Sequence, residues 1–190
     1  MRVLVSVTLL GGALLLAGCS AGSEPARPAS SSAPVITDAP AGSNAQDSAF
    51  GAALLQLLQQ GIGLAGLAKE RAANPALVTL ADTIAAGQQG ESDTIKALMV
   101  QWSGGASPPA APGAATPGAL DPAILTRLES LRGPQFDTLW LQSMTSLHRG
   151  TIGLAEAEIG GGQNSDAKTL AKSVLTTRQA QLQQMQQMVG

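Results

Sequence analysis

Aromatic residues are almost missing from this chain of 190 residues, which has two Trp, two Phe and no Tyr. Strands are built from β-branched and aromatic runs, so this scarcity excludes an all-β fold and favours helices rich in Leu and Ala. Charged residues are also few, at 13% with a net charge of −2. Because the Lys and Arg residues are scattered, no basic face exists to neutralise a phosphate backbone, which argues against nucleic acid as a partner.

Cysteine occurs once, at position 19. A single cysteine excludes an intramolecular disulfide framework and any multi-cysteine zinc site. Arg2 precedes an apolar stretch over 3–17 that is too short to span a membrane, and the stretch ends in Leu16-Ala17-Gly18-Cys19. This pattern is typical of a bacterial lipobox, with cleavage before Cys19 and lipid on its sulfur and new amino terminus. The alternative is an ordinary signal peptide with an incidental cysteine.

Composition divides the chain into three parts. We expect a lipoprotein signal peptide over 1–18, a lipidated Cys19 with a flexible Ser/Ala/Pro tether over 19–45, and a folded domain over 46–190. Several acyl chains give lasting attachment, so the mature protein is expected on the extracytoplasmic face of the cell membrane.

An internal duplication is the most informative feature of the domain. A shift of 90 positions places Asp47 on Asp137 and Asn74 on Asn164 without a gap. The same shift aligns further pairs: Phe50 with Trp140, Ile62-Gly63-Leu64-Ala65 with Ile152-Gly153-Leu154-Ala155, and Thr79-Leu80-Ala81 with Thr169-Leu170-Ala171. The domain is therefore predicted to contain two equivalent halves.

Each half has apolar residues at spacings of three and four, which predicts two amphipathic helices. The hairpins are expected over 46–103 and 134–190, joined by a linker over 104–133. Asn74 is expected to cap the second helix and Ser165 or Asp166 the last one. Asp121-Pro122 is expected to open a short helix in the linker that Gly133-Pro134 stops. The fold class that follows is all-α, a four-helix bundle with one long crossover.

Motifs within the two halves resemble the bacterial family called domain of unknown function 305 (DUF305), over roughly residues 46–189. The second half keeps the family's frame, with Phe136-Asp137, Trp140, Met144, Leu147-His148 and Leu154-Ala155. The first half keeps Gln59-Gln60, Ile62 and Leu64-Ala65, and the second helices keep Leu80-Ala81, Gln88-Gln89 and Glu91. The resemblance implies a ferritin-like bundle, and a His-rich metal site in fuller members.

The histidines of that pattern are mostly absent here. Leu57-Leu58 occupies the place of a His pair, and Leu147 replaces a third His. The 90-residue shift aligns Glu91 with Gln181, so the second half also lacks the acid. A divalent ion needs roughly four to six donors, so we expect no bound metal and no cofactor. We also expect the interior near His148 to be apolar. The residual metal candidates are His148, Glu91 and Met144, to which Met185 would add a second thioether for Cu(I). The alternatives are a remnant imidazole bonded to a Gln or Glu, and methionines that fill the core.

Other catalytic patterns are missing from the sequence. No nucleophile elbow accompanies the single His, and no Gly-rich phosphate loop follows a strand. Glu156 and Glu158, with Glu91 and Asp93, are interpreted as acids on a solvated helix face. Two hypotheses follow: a non-catalytic envelope lipoprotein that acts as a scaffold or binding module for an unknown envelope protein, or an extracytoplasmic protein that handles copper or iron.

Overall fold

The computed structural model describes residues 42–104 and 116–188, and every regular element within these ranges is an α-helix. The helices are α1 (Ala45–Arg71), α2 (Pro75–Trp102), α3 (Pro122–Ser130), α4 (Gly133–Gly161) and α5 (Ser165–Gln187). The all-α fold class is confirmed, with one hairpin from α1 and α2, another from α4 and α5, and α3 in the crossover. The predicted signal peptide, Cys19 and almost all of the tether lie outside the described residues, as does the middle of the linker.

Helix caps follow the sequence at most boundaries. Asn74 caps α2 through a hydrogen bond from Ala76 N, as predicted. The prediction for α5 was wrong, because its N-cap is Asn164, whose side chain accepts two backbone N–H groups of the first turn. The expected stop at Gly133-Pro134 was also wrong. α3 already ends at Ser130, and Gly133 with Pro134 forms the first turn of α4, where a proline needs no N–H partner.

Two aspartates join the hairpins at opposite ends of the bundle. Asp137, in the second turn of α4, accepts the backbone N–H groups of residues 73 and 74 in the α1–α2 turn, at 3.0 Å each. Asp47, in the first turn of α1, accepts those of residues 163 and 164 in the α4–α5 turn, at 3.1 and 2.9 Å. The 90-residue shift relates every member of these two sets. The duplication seen in the sequence is thus expressed as a pair of equivalent tertiary contacts.

The apolar core consists of two clusters with polar residues between them. One cluster surrounds Trp140 and contains Leu57, Leu64, Ile84, Phe136, Met144, Leu147 and Met185 among others. The second surrounds Phe50 and contains Leu54, Leu58, Ile95, Trp102, Ala155 and Val174 among others. Along each of α2, α4 and α5, buried polar side chains occupy the turns between the residues of the two clusters. The bundle therefore has a polar layer inside an otherwise apolar interior.

The crossover is fixed to the bundle before α3 begins. The Gln60 side-chain amide accepts a hydrogen bond from Leu120 N and donates one to Leu120 O, at 2.8 and 3.2 Å. Gly118 has a φ of +85°, and a Cβ on it would lie 2.6 Å from the Cα of Gly150. Both positions therefore require glycine, because the crossover passes directly over the α4 backbone. Leu128 then seats α3 on the core with no exposed surface.

Helix α1 is the one helix among the described residues that has the length and composition to cross a membrane. Core helices of folded domains pass the same test. Ten residues of α1 are buried between α2 and α4, which accounts for its hydropathy.

Candidate functional site: a polar layer inside the bundle

Six residues, from three of the four long helices, form what we call the polar layer. Its members are Gln88 and Glu91 on α2, His148 and Thr151 on α4, and Arg178 and Gln181 on α5. All are buried except Glu91, which is partly exposed. Under the 90-residue shift Gln88 corresponds to Arg178 and Glu91 to Gln181, so the same two positions of each second helix supply four of the six residues.

His148 is completely buried and is bonded to α5. Its Nε2 lies 2.7 Å from Gln181 Oε1. An amide oxygen only accepts, so Nε2 carries the hydrogen and donates it. The other ring nitrogen, Nδ1, makes no hydrogen bond of good geometry among the described residues, although the ring also interacts with the backbone of Met144 one turn earlier. The predicted alternative of an imidazole bonded to a neighbouring Gln matches this geometry.

The environment of His148 keeps its ring neutral. Burial lowers the pKa of His148 to about 3, and the positive charge of Arg178 acts in the same direction. The hydrogen bond to Gln181 opposes the shift and does not reverse it. The imidazole therefore carries no charge near neutral pH.

Arg178 links the two ends of the layer. Its guanidinium forms an ion pair with Glu91 on α2, with only 1% of the Arg178 side chain and 13% of the Glu91 side chain exposed. A second nitrogen of the guanidinium donates to Gln181 Oε1 at 3.3 Å. Burial raises the pKa of Glu91, and the charge of Arg178 opposes that rise. The chain of contacts runs from Glu91 through Arg178 and Gln181 to His148.

A glycine makes room for the remaining amide of the layer. A Cβ at Gly61 would lie 2.2 Å from Gln88 Oε1. This oxygen is buried and has no hydrogen-bond partner in the part of the chain that the structure describes. Gly61 of α1 thus lies directly against the Gln88 side chain.

The predicted metal candidates are only partly brought together. His148 and Glu91 belong to one chain of contacts, but a guanidinium stands between them. Met144 and Met185 lie in the apolar cluster around Trp140. Residues 42–104 and 116–188 contain no group of three or more His, Cys, Asp or Glu side chains that could hold a metal ion. The donors present do not fit a transition metal, because the fixed cation of Arg178 already balances the one carboxylate.

Two expectations about buried polarity were wrong. The interior near His148 is not apolar, since the polar residues Arg178, Gln181 and Thr151 are buried in the same layer of the bundle. Glu91 and Glu158 do not lie on a solvated face, because only 13% of the Glu91 side chain and none of the Glu158 side chain is exposed. Asp93 and Glu156 are exposed as expected. The sequence did carry a signal for Arg178. It occupies the gap in the apolar stripe of α5 between Val174 and Leu182, and the repeat aligns it with Gln88.

Comparisons with known proteins agree with this fold. The profile described as Domain of unknown function (DUF305) matches residues 47–189. A DUF305 fragment from Deinococcus radiodurans is 21% identical with a TM-score of 0.71, covering 78% of this chain and 97% of that one. A DUF305 protein from Streptomyces coelicolor is 23% identical with a TM-score of 0.66, covering 74% and 89%.

A third similar structure is CopM in its Cu(II)-bound form, which is 24% identical with a TM-score of 0.65 and covers 74% of this chain and 93% of its own. At these identities the likeness concerns the fold. No curated protein matches the chain. Since the family profile spans most of the chain and the bundle has the same architecture as solved members, the chain belongs to the DUF305 family.

Proposed function

We propose that this protein is a non-catalytic cell-envelope lipoprotein, held on the membrane through Cys19, whose bundle acts as a scaffold or binding module for an envelope protein. The observation that carries the proposal is the closed polar layer. Its only cation is Arg178, its carboxylate is already paired, and its imidazole is neutral and sealed from solvent. Such a layer offers no nucleophile that a substrate can reach and, among the described residues, no set of three or more His, Cys, Asp or Glu donors for a metal ion.

The outer surface offers grooves on both sides of α3. One groove of about 440 Å³ runs between α1 and α3 and includes Leu64, Leu67 and Leu125 with several glutamines. A second of about 390 Å³ runs between α3 and α4. Their mixed apolar and amide lining suits contacts with another protein better than catalysis. The Asp137 and Asp47 contacts join the two hairpins at both ends of the bundle. They hold the surface helices in fixed positions, which supports a scaffold role.

A metal-handling function is the second candidate, and two observations favour it. CopM has the same fold and was solved with Cu(II), Cu(I) and silver. In this chain, Nδ1 of His148 makes no hydrogen bond of good geometry among the described residues. A soft ion bound there would need a second donor, and Met144 one turn earlier on α4 is the nearest thioether in sequence.

Replacing His148 with leucine distinguishes the two functions. We expect His148→Leu to change the free energy of unfolding by no more than about 1 kcal/mol, because it loses one net hydrogen bond but leaves Gln181 Oε1 bonded to Arg178. Copper, zinc or iron should leave the melting temperature of both proteins unchanged. A site saturated at a hundred times its Kd would instead add about 2.7 kcal/mol of stability.

Met144→Leu tests the second donor, since it removes the sulfur and keeps the volume. Metal-dependent stabilisation of the wild type that both substitutions abolish would favour metal handling over the scaffold. Stabilisation that survives both substitutions would place the metal elsewhere on the chain.

A further inference from the structure

Glu158 is a buried acid that the polar layer does not use. It lies in the last turn of α4, and its side chain has no exposed surface. Neither carboxyl oxygen has a hydrogen-bond donor of good geometry among the described residues. The carboxyl group of Asp47, in the first turn of α1, lies next to that of Glu158. Two acids thus meet where α1 begins and α4 ends.

Asp47 is the partner that keeps the negative charge. It completes a capping box with Asn44 and accepts the N–H groups of Gln163 and Asn164 from the α4–α5 turn. Burial alone would raise the pKa of Asp47, but the backbone donors and the interaction with Glu158 together outweigh burial and hold the pKa below its usual range. Two helix N-termini also point toward this carboxylate and stabilise its charge.

Glu158 is the partner that takes the proton. The charged groups that face it are Asp47 from α1 and Lys168 from α5, and the uncharged amide of Gln46 lies nearby. Burial raises the pKa of Glu158 to about 7, and the contact with Asp47 adds to the rise, while Lys168 and Gln46 oppose it. Glu158 also lies at the negative end of the α4 dipole. When protonated, its hydroxyl donates to Asp47.

The opposite end of the bundle shows that the fold does not need this acid. There Asp137 makes the equivalent contacts, but the position that corresponds to Glu158 is the buried Ala68. Space for the Glu158 side chain also exists at only one end of the bundle. A Cβ at Gly162 would lie 2.2 Å from Glu158 Oε1, and the position that corresponds to Gly162 is Ala72. Glu158 and Gly162 therefore form a matched pair that one end has and the other lacks.

We propose that the Asp47–Glu158 carboxyl pair is a proton-operated latch, which fastens the first turn of α1 to the α4–α5 turn when the pair holds one proton and loosens when that proton is lost. α1 follows directly on the segment that begins at Cys19. The latch therefore controls how firmly the bundle is held where the predicted tether joins it. On the extracytoplasmic face, a position that rests on the proposed function, the latch would respond to the acidity of the surroundings.

The direction of the pH effect follows from the two states of Glu158. Its pKa is 4.5 when unperturbed and about 7 in the fold, so the folded state binds the proton more tightly. The added stability is complete below pH 4.5 and disappears as the pH rises through 7. Between pH 5 and pH 8 this contribution to the folding equilibrium should fall at least about tenfold.

Glu158→Gln tests the latch, because a glutamine keeps an uncharged donor beside Asp47 at every pH. Urea unfolding of the full chain at pH 5, 6, 7 and 8 should show that the wild type loses stability relative to Glu158→Gln as the pH rises, because the opposing contribution from the low pKa of His148 is common to both proteins. Glu156→Gln, on the exposed face of the same helix, is the control and should behave like the wild type. Glu158→Ala, which copies the opposite end of the bundle, should follow the pH dependence of Glu158→Gln.

Hydrogen exchange, corrected for intrinsic rates, supplies a local readout. From pH 5 to pH 8 the amides of Gln163 and Asn164 should lose protection in the wild type, while those of Ala73 and Asn74 at the opposite end should not. Equal losses at both ends, or the same pH dependence in the wild type and Glu158→Gln, would overturn the latch. Neither outcome would bear on metal binding or on the anchor, so the proposed function is tested separately.

Discussion

Replacing Arg178 with methionine is expected to destabilise the bundle by about 3–5 kcal/mol at pH 7, as breaking a buried ion pair generally does. The substitution leaves the carboxylate of Glu91 inside the bundle without a counter-charge and removes a donor from Gln181. Urea unfolding followed by circular dichroism measures the loss. Because Glu91 can escape its isolation by taking a proton, the loss should become smaller at pH 5.

Two further variants separate the ion pair from simple packing. The double variant Glu91→Gln/Arg178→Met should recover most of the stability, because no isolated charge remains. Lys172→Met, on the exposed side of α5, should change the stability by no more than about 0.5 kcal/mol. If Arg178→Met changed the free energy of unfolding as little as Lys172→Met does, the ion pair would not be what stabilises the polar layer.

Replacing Cys19 with alanine is expected to abolish lipid anchoring altogether. Each acyl methylene buried in the membrane contributes about 0.8 kcal/mol, so several chains hold a protein far more firmly than any surface contact could. The wild type should stay in the membrane fraction through salt and carbonate washes and enter solution only with detergent. Cys19→Ala should leave the membrane fraction, or keep residues 1–18 because processing is blocked.

Intact-mass measurement settles the chemistry at position 19. The mature wild type should begin at Cys19 and carry the added mass of its acyl chains. Ser20→Ala is the matched control, since it alters the neighbouring residue and keeps the thiol, and it should remain anchored. A wild type with an unmodified mature terminus would establish the ordinary signal peptide in place of the lipobox.

Much of the fold could be predicted from local patterns. The three-and-four spacing defines the four long helices, and an Asn-Pro or Asp-Pro pair marks where α2 and α3 begin. The α5 cap was missed because Asn164, Ser165 and Asp166 are all good capping residues and only tertiary contact chooses among them. Asp47 accepts the backbone N–H of Asn164, and this contact holds the backbone of Asn164 in place as the residue before the first turn of α5. The repeat already aligned Asn164 with the correctly predicted cap Asn74.

The candidate site was harder to predict, for a physical reason. Arg178 and Glu158 are residues whose usual place is the surface, and no local pattern says that a partner will reach them. Arg178 is buried because Glu91, on a helix from the other half of the chain, neutralises it. Glu158 is buried beside Asp47, which lies 111 positions earlier in the sequence, and Gly162 leaves room for its side chain. His148 was identified from the family pattern, but its neutral state depends on its complete burial, to which the charge of Arg178 adds.

The metal content of the protein purified from its native membrane, in detergent and without added metal, tests the central claim most directly. Elemental analysis for copper, zinc and iron should find each far below one equivalent per chain, in the wild type and in His148→Leu alike. The sealed polar layer, with Arg178 as its cation, predicts this result. About one equivalent of a single metal in the wild type, lost in His148→Leu, would contradict it and make metal handling the function of the bundle.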